Sequence, residues 1–240
     1  MKKTSTILAI GSALALGSAQ AEIESSFHVG YSTDYVFRGI NQNELARSVG
    51  ANSDSGLYEY GLNFTGDSNS GATWNAGIWQ ADIGDGLEEL NIYAGLSKEF
   101  GAVEMSLGLI RYDFSALVPD TSEVYLGAAT EIACLDLSAA IYYDVDANDG
   151  NLYGELSLGK SFDVGGATLH IAANFGTTLD AGTGGDDYVT YGLKAALSQE
   201  LGDNLTGSIY IAGEITEGAG FANDFDDDDL FGGISLSYGF

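Results

Sequence analysis

Few residues in this chain have the types and spacing that chemistry demands, and most of those are oxygen donors. Asp144, Asp146 and Asn148 alternate along one short segment, and Glu155 stands twelfth from Asp144, which is the ligand spacing of a calcium loop. The sharp-turn glycine belongs at the sixth position, yet Asp149 is there and Gly150 follows it, and no helical pattern flanks the segment. A second run, Asp224 and Asp226, Asp227, Asp228 and Asp229, crowds carboxylates that repel unless cations neutralise them. Both runs are candidates for weakly bound divalent cations, against the simpler reading of a solvated loop; no other cofactor is indicated. His28 and His170 are the only histidines, and a hydrolase would need one of them beside a serine and a third orienting group. No serine is singled out by its spacing, so the chain reads as a non-enzyme. Asp34 and Arg38, four residues apart, share a face; Arg38 either meets passing anions or forms a structural pair with Asp34 or another carboxylate.

The elements that must position these residues are strands. Alternation of apolar and polar residues recurs in about twelve segments: Ile23 to Phe37, Leu57 to Thr65, Ala72 to Ala81, Glu88 to Phe100, Val103 to Phe114 and Ser122 to Ile132, then Leu135 to Tyr143, Leu152 to Phe162, Ala167 to Gly176, Tyr188 to Glu200, Leu205 to Thr216 and Leu230 to Phe240. Tight connectors such as Gly101-Ala102 and Ala133-Cys134 alternate with long ones such as Arg38 to Gly56 and Glu217 to Asp229. Short periplasmic turns opposite longer external loops, acidic here, are the pattern of a transmembrane barrel. The last strand carries Leu230, Ile234, Leu236, Tyr238 and Phe240 on one parity and ends on an aromatic, as a closing barrel strand with a girdle residue does. Its expected neighbour is the first strand. The barrel-assembly machinery is the expected partner of this C-terminal strand.

Taking the apolar parity as outward leaves a polar, mostly anionic interior. The expected pore-lining carboxylates are Asp34, Glu59, Glu89, Glu104, Glu131, Glu155 and Glu214, with Arg38 and Lys194 as the cations among them. His28 and His170 also face inward, on the first and ninth strands, too far apart for one site. Arg111 falls on the outward parity near a strand end, an interfacial position, while Lys98 and Lys160 can snorkel beside Phe100 and Phe162.

Met1-Lys2-Lys3, the apolar stretch Ile7 to Leu16 and Ala19-Gln20-Ala21 form a secretory signal, dividing the chain into a signal peptide, 1–21, and a barrel, 22–240. Cleavage removes Lys2 and Lys3 and takes the formal charge from -27 to about -29. The remaining six Lys and Arg are scattered, which excludes a nucleic-acid surface. Cys134 is alone, so there is no intrachain disulfide.

The stretch Ser32-Thr33-Asp34-Tyr35-Val36-Phe37-Arg38-Gly39-Ile40-Asn41-Gln42 resembles the N-terminal signature of the TorF family of porin-like proteins, Ser-x-Asp-Tyr-Val-Phe-Arg-Gly-Ile-x-Gln. The resemblance implies an all-β, antiparallel outer-membrane barrel of unassigned substrate; the acidic late loops depart from the family pattern. The combined expectation is a passive channel for small hydrophilic solutes in the outer membrane of a Gram-negative-type bacterium, preferring cations and bordered by lipid and lipopolysaccharide. A non-conducting structural or surface-interaction barrel is the alternative, and a barrel hydrolase a more distant one.

Overall fold

The computed structural model describes residues 8–9, 12–13, 23–48, 56–84, 87–115, 119–147, 149–181, 187–218 and 227–240. Leu8–Ala9 pairs with Ser12–Ala13; the cleavage site expected after Ala21 lies outside the described residues.

Twelve antiparallel strands close on themselves. They are β1 (Glu24–Ser32), β2 (Leu57–Asp67), β3 (Thr73–Gly84), β4 (Leu87–Phe100), β5 (Val103–Phe114) and β6 (Thr121–Ile132), followed by β7 (Leu135–Asp144), β8 (Asn151–Val164), β9 (Ala167–Ala181), β10 (Tyr188–Gly202), β11 (Leu205–Gly218) and β12 (Asp227–Gly239). Each pairs with the next, and β12 pairs with β1 from Gly233↔Ser32 to Gly239↔Ser26, so no edge is left open. The period-two pattern decides the orientation of every strand. Leu109 and Leu193 are 59% and 61% exposed on the outer face, where a soluble sandwich would have buried them.

Most strands run one to five residues past the expected ends, β9 reaching Ala181 and not Gly176, and two boundaries change what a segment is. The first strand stops at Ser32, whose hydroxyl donates to the Asp34 carbonyl at 2.7 Å, and does not run on to Phe37. The last begins at Asp227, so Asp227, Asp228 and Asp229 are strand residues paired with Thr216, Ile215 and Glu214, not the loop that their charge suggested.

Four two-residue turns, 101–102, 133–134, 165–166 and 203–204, and the connector 68–72 share one end of the barrel. Ala133 and Cys134 both have positive φ, 53° and 64°, the backbone of a type I′ hairpin turn, and Cys134 is exposed there. The longer connectors gather at the opposite end, where 85–86 is the short exception.

Inside, large side chains lie sideways along the wall over glycines of neighbouring strands. Tyr125 covers Gly95 and Gly108, where an added Cβ would come within 2.5 Å of the Tyr125 hydroxyl and ring respectively. Tyr93 covers Gly77, Tyr153 covers Gly176 and Tyr210 covers Gly233 in the same way. A bulkier residue beneath any of these rings would tip it toward the barrel axis.

Candidate functional site

Residues 33–48 leave the wall and fold back into the lumen as a plug. Val36–Phe37 pairs with Ile40–Asn41 in a miniature hairpin with Arg38-Gly39 at its tip. Both tip residues have positive φ, 53° and 76°, as a two-residue type I′ turn requires. Helix α1 (Gln42–Ser48) follows, capped by Asn41, whose Oδ1 accepts the backbone N–H groups of Asn43 at 3.1 Å and Glu44 at 3.2 Å. Buried Asn43 ties the plug together: its Oδ1 accepts the Tyr35 N–H at 2.7 Å and its Nδ2 donates to the Gly56 carbonyl at 3.3 Å. Tyr35 and Ala46 pack with Leu57, Ala81, Ile83 and Leu87 in a small apolar core, with Phe37 and Trp79 against it. The long-loop end of the lumen thus holds an apolar cluster on the β2–β4 side, with Glu59 and Glu89 flanking Ala81 in the ladders.

The hairpin tip reaches the opposite wall. Arg38 Nη1 donates to Glu123 Oε1 at 2.7 Å and Nη2 to Oε2 at 2.8 Å, a bidentate fork. Its Cζ lies 4.5 Å from the ring centroid of Tyr142, 4.5 Å from that of Tyr153 and 4.8 Å from that of Phe37. The Tyr112 hydroxyl also donates to Glu123, at 3.0 Å, and the Tyr142 hydroxyl to Glu155, at 3.0 Å. Burial works against the guanidinium charge, but Glu123 outweighs it and holds the Arg38 pKa above its ordinary value. Gly39 rests on Thr190 and Thr216, with its carbonyl accepting from Thr216 Oγ1 at 2.6 Å, and Asn41 Nδ2 donates to Asp229 at 2.8 Å. Any Cβ at Gly39 would collide with both threonine hydroxyls.

The other candidate residues distribute around this plug. Arg38 forms its ion pair with Glu123, across the lumen from the plug, and not with Asp34. Glu59 faces inward and accepts the Trp79 indole N–H at 2.7 Å; Glu89 is buried and accepts from Asn91 at 2.8 Å. Glu155 is bound to Tyr142, and Glu214 lies across the ladder from Asp229. Lys194 sits with Nζ 4.1 Å from the Tyr210 ring centroid. Glu104 and Glu131 are near the short-turn end, opposite Glu99 and Asp136 in the ladders.

The alternating oxygens of the calcium-like segment do not converge. Asp144 accepts from Thr121 Oγ1 at 2.7 and 2.8 Å and from the Asp146 N–H at 2.9 Å, Asp146 pairs with Arg111 at 2.8 Å, and Glu155 is held by Tyr142. Asn148 and Asp226 lie outside the described residues. Among the described residues no three His, Cys, Asp or Glu side chains are grouped to hold a metal ion. Arg111 binds Asp113, Asp120 and Asp146 at the long-loop rim, on a strand whose register runs without a bulge. His28 and His170 are on β1 and β9; His170 Nδ1 lies 3.0 Å from Ser161 Oγ across the ladder.

An outer-membrane channel of Pseudomonas putida F1 superposes with a TM-score of 0.58 at 10% identity, over 93% of this chain and 97% of that one. KdgM porin gives 0.54 at 10% identity, over 90% and 99%, and NanC porin 0.54 at 9%, over 89% and 98%. The chain has the fold of these outer-membrane barrels. No protein-family model matches the sequence, and a search of curated proteins finds no match.

Sequence reasoning missed Glu123, Tyr112, Tyr142 and Tyr153, the four wall residues that receive Arg38. Their signal was available in parity: Tyr142 shares a face with Asp136, and Tyr153 with Glu155. Gly39 was legible too, as the second half of a dipeptide suited to a hairpin tip.

Proposed function

We propose that the protein is an outer-membrane channel of the TorF type through which small hydrophilic solutes diffuse passively, with cations preferred over anions. The observation that carries this reading is a closed barrel whose outer face is apolar and whose inner wall is polar. Inward Glu59, Glu89, Glu155 and Glu214 outnumber Lys194, the inward strand cation among the described residues, while Arg38 is already neutralised by Glu123. A ring of such carboxylates lowers the energy of a passing cation and raises that of an anion. The function is passage, with no chemical step. In this reading residues 1–21 direct export and are removed, the long loops meet the exterior and its lipopolysaccharide, the two-residue turns face the periplasm, and the strand ending at Phe240 is read by the barrel-assembly machinery.

Planar-bilayer recording of the detergent-purified protein across a KCl gradient tests it: the reversal potential should have the sign of a cation-selective pore. An anion-selective sign removes the charge argument.

The plug favours a second reading. A hairpin fastened to both sides of the lumen suits a barrel that is closed at rest and acts as a structural or surface-interaction element. Absence of current from correctly folded protein, with current appearing once the plug is deleted, would select it.

A further inference from the structure

We propose that the cage around Arg38 is a guanidinium-recognition site built into the barrel wall, filled at rest by the chain's own Arg38 and open to a small solute that carries a guanidinium group. The inference rests on the channel reading, because such a solute must enter the lumen.

The receptor belongs to the wall and the occupant does not. Tyr112, Glu123, Tyr142 and Tyr153 come from four consecutive strands, β5 to β8, and the ladders between those strands set their backbone positions without any bond to the plug. They also hold one another. Tyr112 donates to Glu123, Tyr142 donates to Glu155, and the Tyr142 and Tyr153 rings lie 6.4 Å apart. Arg38 arrives from a loop, with its backbone at φ 53°, a conformation that a residue with a Cβ adopts at a cost.

The site's shape selects a guanidinium over other cations. Glu123 offers both carboxylate oxygens to a planar fork, at 2.7 and 2.8 Å, and two tyrosine rings meet the flat cation at 4.5 Å each. An ammonium cannot match both oxygens in one plane, and it gives up a tighter hydration shell to enter. Donation from Tyr142 to Glu155 enriches the ring facing the cation. It also leaves the cage with two carboxylates, Glu123 and Glu155, for one guanidinium. A solute that takes Arg38's place removes the hairpin's ion pair with the wall and leaves the contacts of Phe37, Gly39 and Asn41 and the apolar core, so recognition loosens the plug.

Calorimetric titration of the detergent-purified full chain tests the site without requiring current. Arg38→Ala and Arg38→Gln should bind methylguanidinium at least about tenfold more tightly than methylammonium, and the wild type, whose own arginine competes, at least about tenfold more weakly than either variant. Adding Glu123→Gln should abolish the preference. Equal affinity for the two cations in the Arg38 variants, or a preference that survives Glu123→Gln, overturns the proposal. A heat-dependent gel shift establishes that each variant is folded. Should neither Arg38 variant fold, the wild-type lumen still answers: Trp79 packs on Tyr35 of the plug at 5.7 Å between ring centroids. In a Trp74→Phe background, methylguanidinium should shift the Trp79 emission at concentrations where methylammonium does not, and identical responses overturn the proposal. Protein that binds methylguanidinium selectively but carries no current keeps the site and loses the channel.

Discussion

Arg38 and Glu123 stand 85 positions apart in the chain and meet inside the barrel as a two-point ion pair, with side chains only 13% and 8% exposed. A buried pair of this kind is worth little against an apolar substitute, but removing one partner strands the other. The plug is thus held in place by the penalty for letting go.

Arg38→Ala should therefore cost about 3–5 kcal/mol of barrel stability, because it leaves the Glu123 carboxylate buried without its cation. Denaturant titration in detergent, read by the loss of the heat-shifted band, measures it. The double variant Arg38→Ala/Glu123→Gln should recover part of the loss, and its conductance should match that of Arg38→Ala and exceed that of the wild type.

Gly39→Ala separates position from charge. The added methyl meets Thr190 and Thr216, and the φ of 76° alone costs a non-glycine residue about 1–2 kcal/mol. Conductance should rise as it does for Arg38→Ala while the reversal potential stays where it was. An unchanged conductance would show that the tip is not what restricts the lumen.

The selectivity follows from charges that can be removed one sign at a time. Combined Glu59→Gln, Glu89→Gln and Glu214→Gln should move the KCl-gradient reversal potential toward zero, and Lys194→Met should move it the other way. Both shifts should shrink as ionic strength rises from about 0.1 M toward 1 M, where the screening length falls from about 10 to about 3 Å.

Gly108→Ala tests the glycine layer. Its methyl would press on the Tyr125 ring and the Ala94 carbonyl, an overpacking that costs about 1–3 kcal/mol and turns the ring toward the axis, narrowing the pore. Gly101→Ala is the control: nothing lies within 4 Å of its Cβ position, so only the penalty of its φ of 70° remains and conductance should not change.

Deleting Phe240 removes the N–H that donates to the Ser25 carbonyl at 2.9 Å and the ring stacked on Tyr238. The expected outcome is less folded, heat-shiftable barrel per cell, with single-channel conductance unchanged in what does assemble. Normal insertion would contradict the role given to this residue.

The barrel was legible because its evidence is local. Each strand carries its own alternation, and Ile234, Leu236 and Tyr238 state their face without reference to any other segment. The plug was not, because Tyr35 and Phe37 continue that alternation past Ser32 and disguise a turn as more strand. Only Arg38-Gly39 hinted otherwise, and the residue that receives Arg38 lies in β6, beyond any window of neighbouring sequence. Asp227 to Asp229 misled in the opposite direction: their charge imitates a loop, whereas the ladder to Thr216, Ile215 and Glu214 makes them strand.

The plug's two far anchors also bear on the order in which the molecule is put together. Thr216 and Asp229 lie 177 and 188 positions beyond the residues they hold, Gly39 and Asn41. Without β11 and β12 in the wall, the Arg38 loop has only half of its berth. The hairpin can seat in full only in a barrel that already holds both strands, so a docked plug reports a closed wall.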